Sequence, residues 1–218
     1  MLVLGIDTSQ KVGSVALVRV EEASGKELTV IATATVDGGT FSAQLVPTIF
    51  RLLKENSLTA RDIGGIAAAL GPGSFTGLRI GLAAVKGLAE SLNIPVVGVS
   101  VLEALTVANV ADGNVLVLLD AGRNELYIGG FELRAGEVCS RHEYLVKPDD
   151  LAVECSPGCA ISPDAAIAAG LSSFRLVPAI DAVAIARVGT LRLSRGESDD
   201  IVALDASYLR PDESLFTK

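Results

Sequence analysis

The residues best suited to chemistry fall in two short stretches that offer backbone amides and oxygens rather than a nucleophile with its base. The first is Gly71-Pro72-Gly73-Ser74-Phe75-Thr76-Gly77, which follows an apolar run and precedes a helical pattern. At such a strand-to-helix turn, backbone N–H groups and the positive end of the helix dipole can hold a phosphate. The spacing is GxGxxxG, one residue off the dinucleotide fingerprint, and the Gly-Lys-Ser/Thr ending of a P-loop is missing. The same glycines and proline suit a tight turn against which the helix packs closely. Phosphate binding by Gly71, Gly73, Ser74, Thr76 and Gly77 and a purely architectural role therefore both stand. The second stretch, Asp7-Thr8-Ser9, ends the first apolar run. A carboxylate there can hold magnesium through water while the hydroxyls contact a phosphate. Alternatively, Asp7 and Thr8 serve the turn itself through side-chain–backbone hydrogen bonds.

Nucleophilic and metal chemistry are poorly supplied. Ser74 is not in a GxSxG context, because position 72 is proline, and a triad would need His142, the single histidine. His142 lies between Arg141 and Glu143 in a polar, strand-like stretch and reads as a solvated surface residue. One histidine with Cys139, Cys155 and Cys159 does not make a zinc site of ordinary composition, so no metal site is expected. Cys155 and Cys159 are not in CxxC spacing and the cysteine count is odd, which reads as reduced, structural thiols. The cluster Asp120, Arg123, Asn124 and Glu125 fits either a ligand contact or a charged hairpin turn.

These stretches need elements to hold them. Leu2–Ile6 is a continuous apolar run, as in a strand buried on both faces, and Val12–Val20 is a β-branched strand. After a turn at Ser24-Gly25-Lys26, Leu28, Val30, Ala32, Ala34 and Val36 alternate with polar residues, broken only by Ile31. That period of two predicts a half-buried antiparallel strand. Leu45, Ile49, Leu52 and Leu53 predict a helix over Ser42–Asn56, with Pro47 near its start. Ile63–Leu70 is a buried strand, and Leu78, Leu82, Val85, Ala89 and Leu92 mark a second amphipathic helix with Arg79, Lys86 and Glu90 on another face. Pro95–Val99 reads as a strand and Val101–Asn109 as a helix. Phe41, Val46, Phe50 and Ala83 lie off or at the edge of the two apolar stripes; that breadth fits a helix-pair interface as well as ordinary core.

A second pass begins at Val115–Leu119, an apolar strand ending in Asp120. Superposing Asp120 on Asp7, an offset of 113 residues, aligns Leu116–Leu119 with Val3–Ile6 and Glu125–Phe131 with Val12–Val18. Each half then turns at a glycine, Gly25 or Gly136, into a third strand. An internal duplication follows: a three-stranded meander with helices and strands after it. The second half is reduced, with Pro/Ser/Gly-rich loops after Tyr144 and one clear helix near Asp181–Leu193. The expected lobes are 1–110 and 111–218.

Composition narrows the class. The 218 residues are 50 % hydrophobic and 20 % charged, ample material for a packed core. Lys and Arg number 18 against 26 Asp and Glu, a net charge of −8. Gripping a nucleic acid alone needs clustered basic residues, so a partner is expected to do so if RNA is involved. No run of about 18 apolar residues exists to span a membrane, and the opening apolar run is too short for a signal peptide. A cytoplasmic globular protein is the expectation.

The string Gly71-Pro72-Gly73-Ser74-Phe75-Thr76-Gly77-Leu78-Arg79-Ile80-Gly81 resembles the signature of the TsaB family, bacterial tRNA threonylcarbamoyladenosine biosynthesis proteins that are glycoprotease-like homologues of M22 peptidases. Gly5-Ile6-Asp7-Thr8-Ser9, Gly98-Val99-Ser100-Val101-Leu102, Asp120-Ala121-Gly122-Arg123-Asn124-Glu125-Leu126-Tyr127 and Tyr208-Leu209-Arg210 agree. The resemblance covers nearly the whole chain and is weakest over 145–180. It implies an α/β, duplicated, two-lobed fold of the sugar-kinase/Hsp70/actin type (ribonuclease H-like), with mixed sheets and a reduced second lobe. It implies a cytoplasmic, non-catalytic subunit in making N6-threonylcarbamoyladenosine at position 37 of tRNAs reading ANN codons. The implied partners are a larger, metal-binding transferase paralogue, a small ATPase of the same pathway, and tRNA through the complex only. A homodimer is implied when the chain is alone.

The resemblance also places the docking surface on the two early helices, at Phe41, Ser42, Leu45, Val46, Ile49, Arg79, Leu82, Ala83 and Lys86. Asp7-Thr8 matches the superfamily's first phosphate motif only in part and no adenosine motif is found, so no cofactor is expected to bind tightly, with ATP or ADP at most at the level of the complex. One departure stands out. The family often has His-Ser-x-x-Leu where this chain has Phe41-Ser42-Ala43-Gln44-Leu45, which implies a drier contact or an altered partner geometry. Two other readings remain at this stage: a stand-alone peptidase or ATPase on the same fold, and a homodimeric binding module outside tRNA chemistry.

Overall fold

A computed structural model of the chain describes residues 1–21, 28–148, 160–168, 174–207 and 209. The turn expected at Ser24-Gly25-Lys26, together with Cys155, Cys159, Tyr208 and Arg210, lies outside the described residues. The chain forms two units, Met1–Ala104 with Ile180–Ala206, and Leu105–Ala179 with Ser207–Lys218.

In the first unit, β1 (Leu2–Asp7), β2 (Val12–Val20) and β3 (Leu28–Asp37) form an antiparallel meander. Helix α1 (Phe41–Glu55), strand β4 (Ile63–Gly71), helix α2 (Phe75–Leu92) and strand β5 (Val96–Ser100) follow, and α3 (Val101–Asn109) begins here. The sheet order is β3-β2-β1-β4-β5, with β4 and β5 parallel to β1. Every residue of β1 is buried, as its unbroken apolar run requires.

The last helix of this unit, α5 (Ala182–Ser194), packs on β1, β2, β4 and β5. Side-chain alternation shows that the sheet is covered on both faces. Gly5, which a Cβ would push into Ala182 O and Ala186, shares its face with Ser14, whose Oγ accepts from Ala182 N at 2.8 Å. The opposite face carries Gly13, where a Cβ would meet the Phe41 ring of α1, and Thr8, which α2 approaches at Gly77 and Gly81. Small residues on facing elements thus bring backbones together: Gly5 and Gly65 on the sheet, Ala186 and Gly189 on α5.

The second unit repeats the plan. It holds β6 (Gly113–Gly122), β7 (Glu125–Arg134), β8 (Glu137–Val146), β9 (Ala160–Ser162), the single-turn helix α4 (Ala165–Ala168) and β10 (Arg175–Leu176). Its sheet runs β10-β9-β6-β7-β8, the order of the first sheet with β6 in the place of β1. Directions match as well: β6 is antiparallel to β7 and parallel to β9. The duplication read at an offset of 113 residues is present, and the second copy is reduced, since β9 and β10 have three and two residues. Its core is built on Leu118, Leu126, Ile128 and Ala160.

Two expectations need correction. The lobes were expected at 1–110 and 111–218, whereas the first unit ends at Ala104 and Ile180–Ala206 belongs to it. The reason is the face of the first sheet around Gly5 and Gly65, which α5 covers. The alternation of β3 was expected to bury Val30, but it is exposed. Pairing shifts between Leu17↔Ala32 and Val18↔Val30, so Ile31 is the extra residue of a β-bulge.

Candidate functional site at the ends of β1 and β4

Strands β1 and β4 run parallel and end at Asp7 and Gly71, so their carboxyl ends open on one side of the sheet. Ligands of open α/β sheets bind at such ends. Both stretches singled out by their chemistry meet here. Ser74 N donates to Ser9 O at 2.7 Å, joining the glycine loop to the β1–β2 turn. Asp181, which caps α5, adds to the charge around Asp7.

Asp7, Thr8 and Ser9 are all buried. Asp7 Oδ1 accepts from Ser9 N at 2.9 Å, and Oδ2 from Gln10 Nε2 at 3.3 Å. The Gln10 amide also donates to Ile180 O at 3.0 Å, just ahead of α5. Burial raises the Asp7 carboxyl above its ordinary range, the hydrogen bonds from Ser9 and Gln10 oppose that, and Asp181 reinforces it. The Ser9 hydroxyl lies near Asp7 without a hydrogen bond of ordinary geometry, and no other partner reaches it. Both Asp7 oxygens are thus bonded within the β1–β2 turn, as an acid that serves the turn itself would be. Among the described residues, no group of three or more His, Cys, Asp and Glu side chains is placed to hold a metal ion.

The glycine loop has a clear architectural use. A Cβ at Gly73 would strike Ser9 O, one at Gly77 Thr8 O, and one at Gly81 Thr8 Oγ1. These positions let the start of α2 lie directly on the β1–β2 turn, which a side chain would prevent. Ser74 is the N-cap of α2, its Oγ accepting from Gly77 N at 3.2 Å. The amides of Ser74 and Gly77 therefore already have acceptors within the protein. Gly71 and Pro72 are buried, while Gly73, Ser74 and Thr76 are exposed.

The docking residues expected on α1 and α2 divide by burial. Phe41, Leu45, Ile49 and Leu82 are core, whereas Ser42, Val46, Arg79 and Ala83 are exposed and Lys86 is half-buried. Phe41 is buried because Gly13 leaves room for its ring, so the residue expected to make a drier partner contact lies in the core rather than on the surface. Phe50 and Phe75 join the exposed set at 47 % and 40 %, beside Val46 at 36 %. Val46 and Phe50 are one helical turn apart on α1, and the Arg79 guanidinium sits 3.7 Å over the Phe75 ring on α2. Helices α1 and α2 pack on each other.

The remaining candidates lie in the second unit. Arg123 and Asn124 both have positive φ, 56° and 58°, and make the two-residue turn between Gly122 and Glu125. Asp120 Oδ1 accepts from Gly122 N at 2.8 Å within that turn. His142 and Cys139 are exposed on β8. Sequence reasoning missed Gln10, Ser14 and Asp181. Asp181 stands ahead of an apolar helix as an N-cap would, but nothing local announces that this helix returns to the first strand.

Residues 38–184 match the family model described as TsaD, tRNA N6-adenosine threonylcarbamoyltransferase. The chain is 34 % identical over 137 residues to the tRNA threonylcarbamoyladenosine biosynthesis protein TsaB of Bacillus subtilis (strain 168), a stretch covering 62 % of this chain and 57 % of that protein. It is 34 % identical over 132 residues to TsaB of Escherichia coli (strain K12), covering 58 % and 53 %. The chain thus spans about half the length of the curated relatives it matches. Among solved structures, YeaZ from Pseudomonas aeruginosa superposes with a TM-score of 0.78 at 25 % identity, over 95 % of this chain and 99 % of that one. A P. aeruginosa protein described as similar to peptidase YeaZ superposes at 0.79, over 96 % and 99 %. With the model spanning residues 38–184, relatives named TsaB and a fold shared with YeaZ, the chain belongs to the glycoprotease-like TsaB/TsaD family.

Proposed function

We propose that the chain is a non-catalytic subunit in the formation of N6-threonylcarbamoyladenosine at position 37 of tRNAs reading ANN codons. It docks on a larger, metal-bearing transferase paralogue through the exposed faces of α1 and α2. The observation that carries this reading is the set of apolar side chains partly exposed there: Val46, Phe50 and Phe75, with Ala83. Aromatic side chains enclosed by a polar rim are what protein interfaces use, and Arg79 and Lys86 supply such a rim. Family membership and the relatives named TsaB support the pathway.

The rest of the reading follows. A small ATPase of the pathway joins the complex, tRNA is reached through the complex, and ATP or ADP acts at that level. Without the paralogue, two copies pair through the same face, and the protein works in the cytoplasm. The net charge of −8 supports leaving the grip on tRNA to a partner. Phe50→Glu is the direct test. It should abolish capture of the purified paralogue while leaving the circular dichroism spectrum native. Undiminished capture by Phe50→Glu and by Val46→Glu would refute the docking face.

A further inference from the structure

The first sheet ends at β5, and an outermost strand leaves alternate N–H and C=O groups pointing away from the sheet. Pro95 O bonds inward to Ile66 N at 3.0 Å, so Val96 and Gly98 face outward. Their groups are occupied. Val96 O accepts from Asp199 N at 2.8 Å, and Gly98 N donates to Asp199 Oδ2 at 2.7 Å. Gly98 O accepts from Arg192 Nη1 at 2.7 Å. Arg192 Nη2 bonds Asp199 Oδ1 at 3.0 Å, and its Nε bonds Glu197 Oε2 at 3.1 Å. One arginine at the end of α5 and one aspartate beyond it therefore make the bonds of a sixth strand, two of them through side chains. Further on, Leu204 N closes a turn on Asp200 O at 2.8 Å, Lys86 Nζ of α2 holds Val202 O at 3.3 Å, and Leu204 and Ala206 are buried.

We propose that residues 197–206 are a strap that closes the β5 edge against strand addition, latched by the Arg192–Asp199 pair, and that opening the latch lets a second copy of this chain add a strand there. The edge needs such cover. Val96-Val97-Gly98-Val99-Ser100 has no charge and no proline, the composition of a strand prone to pair with another chain. The latch can open locally. It is made by two partly exposed charged side chains rather than by a continuous ladder, so its release leaves the bonds between β4 and β5 in place.

The test uses the full chain carrying Phe50→Glu, which removes association through the helix face and separates this inference from the docking reading. Adding Asp199→Ala should speed hydrogen exchange at the Gly98 amide by about tenfold or more, with α5 amides unchanged. Sedimentation velocity should then show concentration-dependent association that the Phe50→Glu parent lacks. Unchanged Gly98 exchange, or faster exchange without association, would overturn the proposal. If Asp199→Ala also deprotects α5, Arg192→Leu, which keeps the packed stem, is read by the same two outcomes.

Discussion

Asp7 sits where β1 stops, and the proton on its carboxyl is worth stability to the fold. Burial raises it from the ordinary 3.8, so between that value and the native one the folded chain binds more protons than the unfolded chain. Stability from this group is full below the window and falls as pH rises through it. Asp7→Asn should remove that fall, so urea midpoints followed upward from about pH 4 should decline less in the variant than in the parent. Equal declines would mean that Asp7 ionises as freely in the native state as in the unfolded one. Two neighbours on α1 make the complementary case. Leu45 is 1 % exposed, and Leu45→Ala should cost about 2–5 kcal/mol. Phe50→Glu should cost less, about 1 kcal/mol, since only about half of its side chain is packed. Similar denaturation midpoints for the two variants would contradict the division of α1 into a core face and a free one.

At the scale of elements, α2 is held against the β1–β2 turn by missing side chains. Gly81→Ala drives a methyl into Thr8 Oγ1 and should cost about 1–3 kcal/mol. Thr8→Ala removes the obstacle, so the double variant should recover most of that loss, and additive losses would place the strain elsewhere. Elements whose apolar pattern had one partner face were legible in the sequence: α1 buries Leu45, Ile49, Leu52 and Leu53, and α3 spans Val101–Asn109 as read. The break at Ile31 was visible too, but not its meaning as a bulge, because a bulge is defined by the partner strand. The return of α5 to the first sheet was not legible. Its buried residues, Ala182, Ala184, Ile185, Ala186, Val188, Gly189, Thr190 and Leu193, are mostly small and too continuous to form a stripe that names a partner. The role of Gln10 was hidden for the same reason, since Ile180 O lies 170 residues away in the chain.

For the whole molecule, two sheets with the same strand order argue that one meander-and-crossover plan was used twice. Helices α1 and α2 are long, packed together and carry Val46, Phe50, Phe75 and Ala83 among their exposed residues, whereas the corresponding part of the second unit has α4, a single turn, among the described residues. The net charge of −8 predicts weak binding of tRNA by the isolated chain at physiological salt, and tight retention in a filter assay would contradict it. The central claim is that the chain enables a reaction it does not itself perform. It is tested most directly by reconstitution: tRNA, threonine, bicarbonate and ATP with the transferase paralogue, the carbamoyl-adenylate synthase and the small ATPase, with this chain, without it, or with Phe50→Glu. The modified nucleoside, quantified by mass spectrometry, should appear only with the unaltered chain; equal amounts in all three mixtures would contradict the account.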